Sequence, residues 1–284
     1  MIKVTDLYKR YGEIKAVNGI SFSVDEGMLF SFLGVNGAGK STTINILTTL
    51  LEKTCGAVSI GGYDIDRDPE KVRGLIGVVF QEGNLDAKLT VKENITFRCG
   101  LYMHGARLKE AVRTALETTG AIEYAHRRYE TLSGGQRRKA DIARSLVNMP
   151  RLLFLDEPTT GLDPKTRRDI WQLIRDLQKT RGMTVFLTTH YMEEAAESDD
   201  INIIHQGEII ARGTPAILKE TYSHDIIKIE LKNGQRIHQQ LKHTTEAIPI
   251  ISQLHDQIAH FEVVSGTMDD VFIKLTGGQE DDAG

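Results

Sequence analysis

The stretch LFSFLGVNGAGKSTTINILTTLL, residues 29–51, decides the fold predicted for this chain. It begins with a compact apolar run, typical of a buried strand, and ends with apolar residues at helical spacing. Between them, residues 34–41 fit the pattern G-x-x-x-x-G-K-S. Glycines in that setting let backbone N–H groups surround a phosphate, while Lys40 supplies a cation and Ser41 a hydroxyl for Mg²⁺. The sequence therefore predicts an α/β fold with a phosphate-binding loop, rather than a glycine-rich connection that merely packs.

A second glycine pair indicates a second phosphate site. The segment LSGGQ, residues 132–136, stands at the start of a predicted helix. Such a start presents free backbone N–H groups and the positive end of the helix dipole. A chain with two phosphate-binding ends suggests that ATP is held between two copies or two halves.

Two adjacent carboxylates follow another apolar strand. Leu152–Asp156 is the strand, and Glu157 comes next. Asp156 at the strand tip can hold the hydration shell of Mg²⁺, and Glu157 can accept a proton from an attacking water. Alone, the segment could be a simple turn after a strand; the upstream phosphate loop favours the catalytic interpretation.

Two further polar residues follow predicted buried strands. Gln81 comes after Gly77–Phe80, and His190 comes after a Thr pair. Each is ambiguous alone, as a solvated loop residue or a strand-end histidine with a backbone partner. A role of Gln81 and His190 in ligand binding is favoured because ligands of open α/β sheets bind at the tips of the strands. Tyr11 is either a core aromatic or a stacking surface for a purine ring.

The order of predicted elements indicates one α/β domain over residues 1–220. Short alternating strands in the first thirty residues predict an antiparallel β subdomain. Residues 89–150 carry helical signals and predict an inserted helical subdomain. Strands at 152–155 and 184–188 flank a helix that begins at Asp163-Pro164, which predicts a parallel βαβ unit.

A small α+β domain is predicted over residues 221–278. Residues 226–231 and 236–239 form a plausible hairpin around an Asn-Gly turn, followed by a helix over 245–257 and a strand over 260–264. Residues 279–284 are predicted to be a disordered tail.

Composition excludes several classes of function. The 284 residues are 40% hydrophobic and carry a formal net charge of -4, which argues against a nucleic-acid partner. No apolar run approaches the roughly 18 residues of a membrane span, so a membrane role is expected to come through a partner.

These residues, in this order, resemble the ATP-binding cassette (ABC) ATPases over about residues 2–215. Seven motifs of that family have counterparts: Tyr11 for the adenine-stacking A-loop, residues 34–41 for Walker A, Gln81 for the Q-loop, residues 132–136 for the LSGGQ signature, residues 152–157 for Walker B with its catalytic glutamate, residues 161–163 for the D-loop, and His190 for the switch histidine.

The resemblance implies a P-loop NTPase core with a mixed, largely parallel sheet. It implies catalytic roles for Glu157, His190 and Gln81, and Mg²⁺ ligands at Ser41, Gln81 and Asp156. The residues expected to bind ATP are Tyr11, Gly34, Val35, Asn36, Gly37, Ala38, Gly39, Lys40, Ser41, Thr42, Ser133, Gly135 and Asp163.

The resemblance also implies partners and a location. Two cassettes, either two copies or this chain and a sister cassette, form a head-to-tail dimer around two Mg-ATP. Ser133 and Gly135 then reach the γ-phosphate of the partner's nucleotide. The cassette docks on an integral membrane permease at the cytoplasmic face of the cell membrane.

Within the family, the chain is similar to the drug-resistance (DRA-like) exporter ATPases. The segment THYMEEA, residues 189–195, and the stretch at 267–277 carry that likeness. Val35 departs from the proline common in the related loop, but ATP binding is expected to survive. The cargo is open: drugs, antibiotics, lipids and ions all fit. Alternatives are an ABC ATPase acting on ribosomes or DNA, and a P-loop kinase that would leave LSGGQ without a role.

Overall fold

The computed structural model describes residues 1–277, so the predicted tail at 279–284 lies outside the described residues. The chain divides into two compact units. The first contains Met1–His190 and Ile204–Ile209, and the second contains Tyr191–Ile203 and residues 210–277. The predicted domain boundary at residue 220 stays a prediction.

The strands and helices up to His190 are β1 Ile2–Tyr11, β2 Ile14–Val24, β3 Leu29–Leu33, α1 Lys40–Leu47, β4 Cys55–Ile60, β5 Tyr63–Asp64, α2 Pro69–Leu75, β6 Ile76–Val79, α3 Val91–Cys99, α4 Gly105–Thr118, α5 Gly134–Leu146, β7 Leu152–Asp156, α6 Pro164–Arg181 and β8 Thr184–Thr189. Those that follow are α7 Met192–Ala195, β9 Asp200–His205, β10 Glu208–Gly213, α8 Pro215–Tyr222, β11 Asp225–Leu231, β12 Arg236–Leu241, α9 Ala247–Leu254, β13 Ile258–Val264 and α10 Met268–Thr276.

Four parallel strands of the first unit lie side by side in the order β3, β8, β7, β6. All residues of β3, β7 and β8 are buried, as expected for strands covered on both faces. The predicted parallel sheet is confirmed. Because parallel strands share one direction, the segments after Leu33, Val79, Asp156 and Thr189 meet at one edge of the sheet.

A second sheet is antiparallel, in the order β2-β1-β4-β5. It packs against the parallel strands through a cluster of aromatic rings, in which Phe22 lies 5.8 Å from Phe30 and 5.6 Å from Phe32 between ring centroids. The predicted antiparallel region is confirmed, although the sequence analysis did not identify β4 or β5. This packing buries α1, which follows the phosphate loop, through Ile44 and Leu47.

Helices α3, α4 and α5 occupy the region predicted to be helical. α3 begins with a capping box between Thr90 and Glu93, and α5 begins at the predicted Gly134. Other bounds differ: α1 begins at Lys40 and ends at Leu47, earlier than the predicted end at residue 51. Helix boundaries depend on caps and packing as well as on apolar spacing, which explains such shifts.

In the second unit, β12, β11 and β13 form an antiparallel sheet, and α9 packs on it. The predicted hairpin is confirmed. Its first strand begins one residue earlier than predicted, and its second strand ends two residues later. α10 was not predicted. It packs against α7 and α8, where Leu218, Met268 and Val271 are buried.

Candidate functional site

The phosphate loop has a backbone that only glycine adopts readily. Gly37 and Gly39 have φ angles of 82° and 108°. A Cβ on Gly39 would lie 2.5 Å from the carbonyl oxygen of Ala16, so the close approach also requires glycine. Gly39 is the N-cap of α1 and gives it no side-chain cap. The first N–H groups of α1 are therefore available to an anion, and this geometry fits a phosphate.

Lys40 lies at the centre of this loop and is 4% exposed. Its ammonium donates to the carbonyl oxygens of Gly34 at 2.7 Å and Val35 at 3.2 Å. It also forms an ion pair with Glu157, with Nζ 3.2 Å from Oε1. The loop thus holds a buried cation directly beside the predicted catalytic carboxylate.

Asp156 ends β7 and faces the start of α1. The Oγ of Ser41 lies 3.5 Å from Oδ1 of Asp156. The hydroxyl of Thr188 donates to the same oxygen at 2.6 Å. A carboxylate and a hydroxyl side by side are oxygen ligands of the kind that Mg²⁺ prefers.

Glu157 brings the predicted catalytic residues together. Its Oε2 lies 3.4 Å from Nε2 of Gln81, 3.1 Å from Oγ1 of Thr160 and 3.2 Å from Nδ1 of His190. Gln81 and Thr160 donate to the carboxylate. The structure therefore gathers Lys40, Gln81, Glu157 and His190 from four separate loops.

The charge state of Glu157 follows from these neighbours. Burial raises the pKa of the carboxyl, but the Lys40 ammonium, His190 and the Thr160 hydroxyl outweigh burial, so the pKa lies below its ordinary value. Glu157 is therefore ionised at neutral pH and can accept a proton.

A cavity of about 230 Å³ opens at this edge of the sheet. Its lining contains both predicted and unpredicted residues: Ala16, Asn36, Gly37, Gly39, Lys40, Ser41, Thr42, Gln81 and Glu157. Apart from Ala16, all of them were predicted from the sequence. Tyr11 is not part of this lining; its ring is 48% exposed and lies 5.1 Å from Nζ of Lys9.

The remaining predicted residues form a second group. Ser133 is the N-cap of α5, where its hydroxyl accepts from the N–H of Gln136. Gly135 lies against Thr166, and a Cβ on Gly135 would overlap its methyl group. Asp163 caps α6 by accepting from the N–H of Thr166 at 3.0 Å. Ser133, Gly135 and Asp163 thus lie near the starts of two helices and do not line the cavity that contains Lys40.

Thr188 and Thr160 support the site and were not identified from the sequence. Thr188 accepts from the N–H of Glu157 at 3.0 Å while it donates to Asp156. The register of the parallel pair β7/β8 places Thr188 opposite Asp156. The sequence does show that Thr188 is a polar residue at the end of an otherwise apolar strand. Its partner, however, depends on the register between β7 and β8, which the sequence does not show.

Comparison with known protein families identifies the family of this chain. Residues 17–160 match the protein-family model described as ABC transporter. This chain belongs to the ABC transporter family. As an ABC cassette, it is an ATPase.

Two relatives are similar in sequence to most of this chain. The daunorubicin/doxorubicin resistance ATP-binding protein DrrA of Streptomyces peucetius is 35% identical, over 99% of this chain and 94% of that protein. The linearmycin resistance ATP-binding protein LnrL of Bacillus subtilis (strain 168) is 42% identical, over 80% of this chain and 73% of that protein.

Solved ABC cassettes share the fold. A dimeric cassette in a post-hydrolysis state bound to ADP and Pi aligns with a TM-score of 0.68 and 32% identity, over 75% of this chain and 98% of that chain. The cbiO1 component of the Clostridium perfringens cbiONQ complex aligns with a TM-score of 0.72 and 30% identity, over 76% of this chain and 89% of that chain.

Proposed function

We propose that this cassette is the ATP-hydrolysing subunit of an exporter and that two cassettes close head to tail around two Mg-ATP. One observation carries the proposal: Ser133 and Gly135, which match the phosphate-binding signature, lie outside the cavity lined by Lys40 and Glu157. A second cassette, the same or a sister chain, would supply the missing signature to each cavity. The dimeric state of a structurally similar cassette supports this arrangement.

Within the closed site, the residues have separate tasks. The N–H groups at the start of α1 and the Lys40 ammonium bind the phosphates. Ser41, Asp156 and Gln81 would hold Mg²⁺, which would neutralise charge on the phosphates. Glu157 accepts the proton of the attacking water, while His190 and Gln81 fix the position of its carboxylate.

Export is the function that the relatives support. DrrA and LnrL are named as resistance proteins, and a relative from Burkholderia orbicola is named as a Nod factor export protein. Those names favour export over action on ribosomes or DNA. The cargo we propose is a drug, an antibiotic, a lipid or an ion. Across residues 1–277, no helix is long and apolar enough to cross a membrane. We propose, from the likeness to the exporter ATP-binding proteins, that the membrane path belongs to a separately encoded permease, with the cassette at its cytoplasmic face.

A groove in the first unit suits such a permease. It has a volume of about 290 Å³, and its lining includes Arg73, Arg98 and Arg144 beside Phe80 and Tyr102. Tyr102 is 47% exposed. A short permease helix with an apolar face and an acidic residue has the chemistry that complements this groove.

The substitution Glu157→Gln tests the catalytic assignment. Loss of the general base is expected to reduce kcat by roughly 10²–10⁴-fold, while Mg-ATP still binds. Turnover and nucleotide binding of the purified chain are the measurements. Glu123→Gln, an exposed carboxylate outside the site, serves as the control and should keep wild-type turnover. Wild-type kcat in the Glu157 variant would contradict the proposal.

A further inference from the structure

Arg138 holds the strand end that carries Gln81. It lies on α5 and is 8% exposed. One terminal nitrogen of its guanidinium donates to the carbonyl oxygen of Phe80 at 2.7 Å, and the other donates to the carbonyl oxygen of Gln81 at 2.9 Å. These two bonds fix the backbone from which the Gln81 side chain reaches Glu157.

A buried carboxylate on the same helix compensates the charge of Arg138. The carboxylate of Asp141, 4% exposed and on the same helix, attracts the guanidinium. The hydroxyl of Tyr129 lies 3.1 Å from both oxygens of that carboxylate. Because a buried charge without a compensating charge is costly, the Asp141 carboxylate stabilises the Arg138 guanidinium in its buried position.

The chain after Gln81 also contacts Tyr129 and Asp141. A Cβ on Gly83 would overlap the hydroxyl of Tyr129 and would lie 3.4 Å from Oδ2 of Asp141. Further back along the same strand, Arg144 of α5 donates to the carbonyl oxygen of Val78 at 2.7 Å. One face of α5 therefore holds the segment from Val78 to Gly83.

The N-terminus of α5 is the Ser133 signature. A helix of this length is a rigid element, so a shift of Gln81 that pulls Arg138 also moves Ser133. In the proposed dimer, Gln81 serves the chain's own ATP and Ser133 serves the partner's ATP. We infer that Arg138 is a positioning residue that couples the two nucleotide sites by tying Gln81 to the signature helix.

The coupling requires an arginine. A guanidinium presents two donors in a fixed fork, whereas an ammonium is a single point charge. Lysine at this position would retain the positive charge near Asp141, but its shorter side chain and single nitrogen lack the planar fork whose two nitrogens each reach one carbonyl oxygen. Arg138→Lys should therefore restore only part of what Arg138→Gln removes.

This inference rests on the proposed function, and the test uses the purified full chain. Arg138→Gln should lower kcat roughly 10- to 100-fold, the range for loss of hydrogen bonds to a charged group, and change the Kd of a fluorescent ATP analogue less than about threefold. The Hill coefficient of ATPase activity against ATP should fall toward unity. Arg138→Lys should give an intermediate kcat. Lys139→Gln removes the adjacent charge on the same helix and should behave as the wild type.

Several results would overturn the inference. Arg138→Gln with wild-type kcat and Hill coefficient is one, and equal losses in Arg138→Gln and Lys139→Gln are another. If Arg138→Gln does not fold, Tyr129→Phe removes one hydroxyl only and should still lower kcat about 3-fold or more at unchanged ATP affinity, as expected for loss of one hydrogen bond; an unchanged kcat would contradict the inference. An inactive Glu157→Gln variant beside an unaffected Arg138→Gln variant would refute the coupling alone and leave the proposed ATPase role intact.

Discussion

Glu157 occupies a strained backbone position. Its φ angle is 45°, in the left-handed region that non-glycine residues rarely adopt. Such a conformation costs on the order of 1–3 kcal/mol and persists where the surroundings determine it. Here the N–H of Glu157 is bound by Thr188, and its carboxylate contacts Lys40 and Thr160. The two adjacent carboxylates have different neighbours: Asp156 contacts Ser41 and Thr188, and Glu157 contacts Lys40, Gln81 and His190.

Asp141 gives a prediction about stability and pH. Burial raises its pKa to about 6, although Arg138, Tyr129, Arg144 and Arg137 act in the opposite direction. Between pH 3.8, the ordinary pKa, and about pH 6, Asp141 is protonated in the folded protein but ionised in the unfolded chain. The contribution of this group to the free energy of unfolding is therefore fully present below the ordinary pKa. It declines by at most about 3 kcal/mol as the pH rises through the folded pKa.

Denaturant unfolding of the wild type and of Asp141→Asn between pH 4 and pH 7 measures this slope. The wild type should lose stability relative to the variant as the pH rises. Asp169→Asn, which changes an exposed aspartate, is the control and should leave the slope unchanged. Parallel curves for the wild type and Asp141→Asn would contradict the prediction.

The site residues that were predicted from the sequence share one property. Each of them comes after the carboxyl end of a buried parallel strand: Lys40, Gln81, Glu157 and His190. The order of parallel strands is enough to bring such ends together. Arg138 could not be found this way, because its role depends on which carbonyl groups α5 faces after packing. The sequence pattern shows that α5 has a buried face but does not show what that face contacts.

At the level of elements, strand β8 provides a matched pair of threonines. Thr188 bonds Asp156 and Glu157 at the carboxyl end of the strand, and Thr184 accepts from the N–H of Gly27 at the other end, at 2.9 Å. Both are buried. Thr188→Val and Thr184→Val should each cost about 1–3 kcal/mol, because each leaves a buried partner without its bond.

Only Thr188→Val should lower kcat, by roughly 10-fold or more, since one hydrogen bond to a charged group contributes in that range. Thermal unfolding and steady-state ATPase assays of both variants separate the two effects. Equal kcat in the two variants would show that β8 supports the fold and not the site.

Elements with continuous apolar runs, or with proline and glycine at their ends, were predicted well, whereas β5 and α10 were not. β3, β7 and β8 were found from continuous apolar residues, and α6 from Asp163-Pro164 at its start and Gly182 at its end. β5 has two residues and no such signal. α10 begins with a capping box at Thr267 and Asp270, but its packing partners α7 and α8 lie more than forty residues earlier in the chain, so only the fold shows why its apolar face is buried.

At the level of the whole molecule, the proposal requires that one nucleotide site contains residues of two chains. A mixing experiment tests this directly, with every chain carrying Glu157→Gln so that bound ATP is retained. Lys40→Ala removes the phosphate cation from a chain's own loop, and Ser133→Arg blocks the signature that it offers to its partner. Neither variant alone can form a complete site.

In a mixed pair, Lys40 of one chain and Ser133 of the other complete one site of two, so about one ATP per dimer is expected. An affinity-tagged Lys40→Ala chain should therefore capture an untagged Ser133→Arg chain only when Mg-ATP is present. A partner that carries both substitutions leaves no complete site and should not be captured. If each chain completed its nucleotide site without a signature from its partner, none of these combinations would associate in the presence of Mg-ATP, and the Ser133→Arg chain would bind ATP as a monomer.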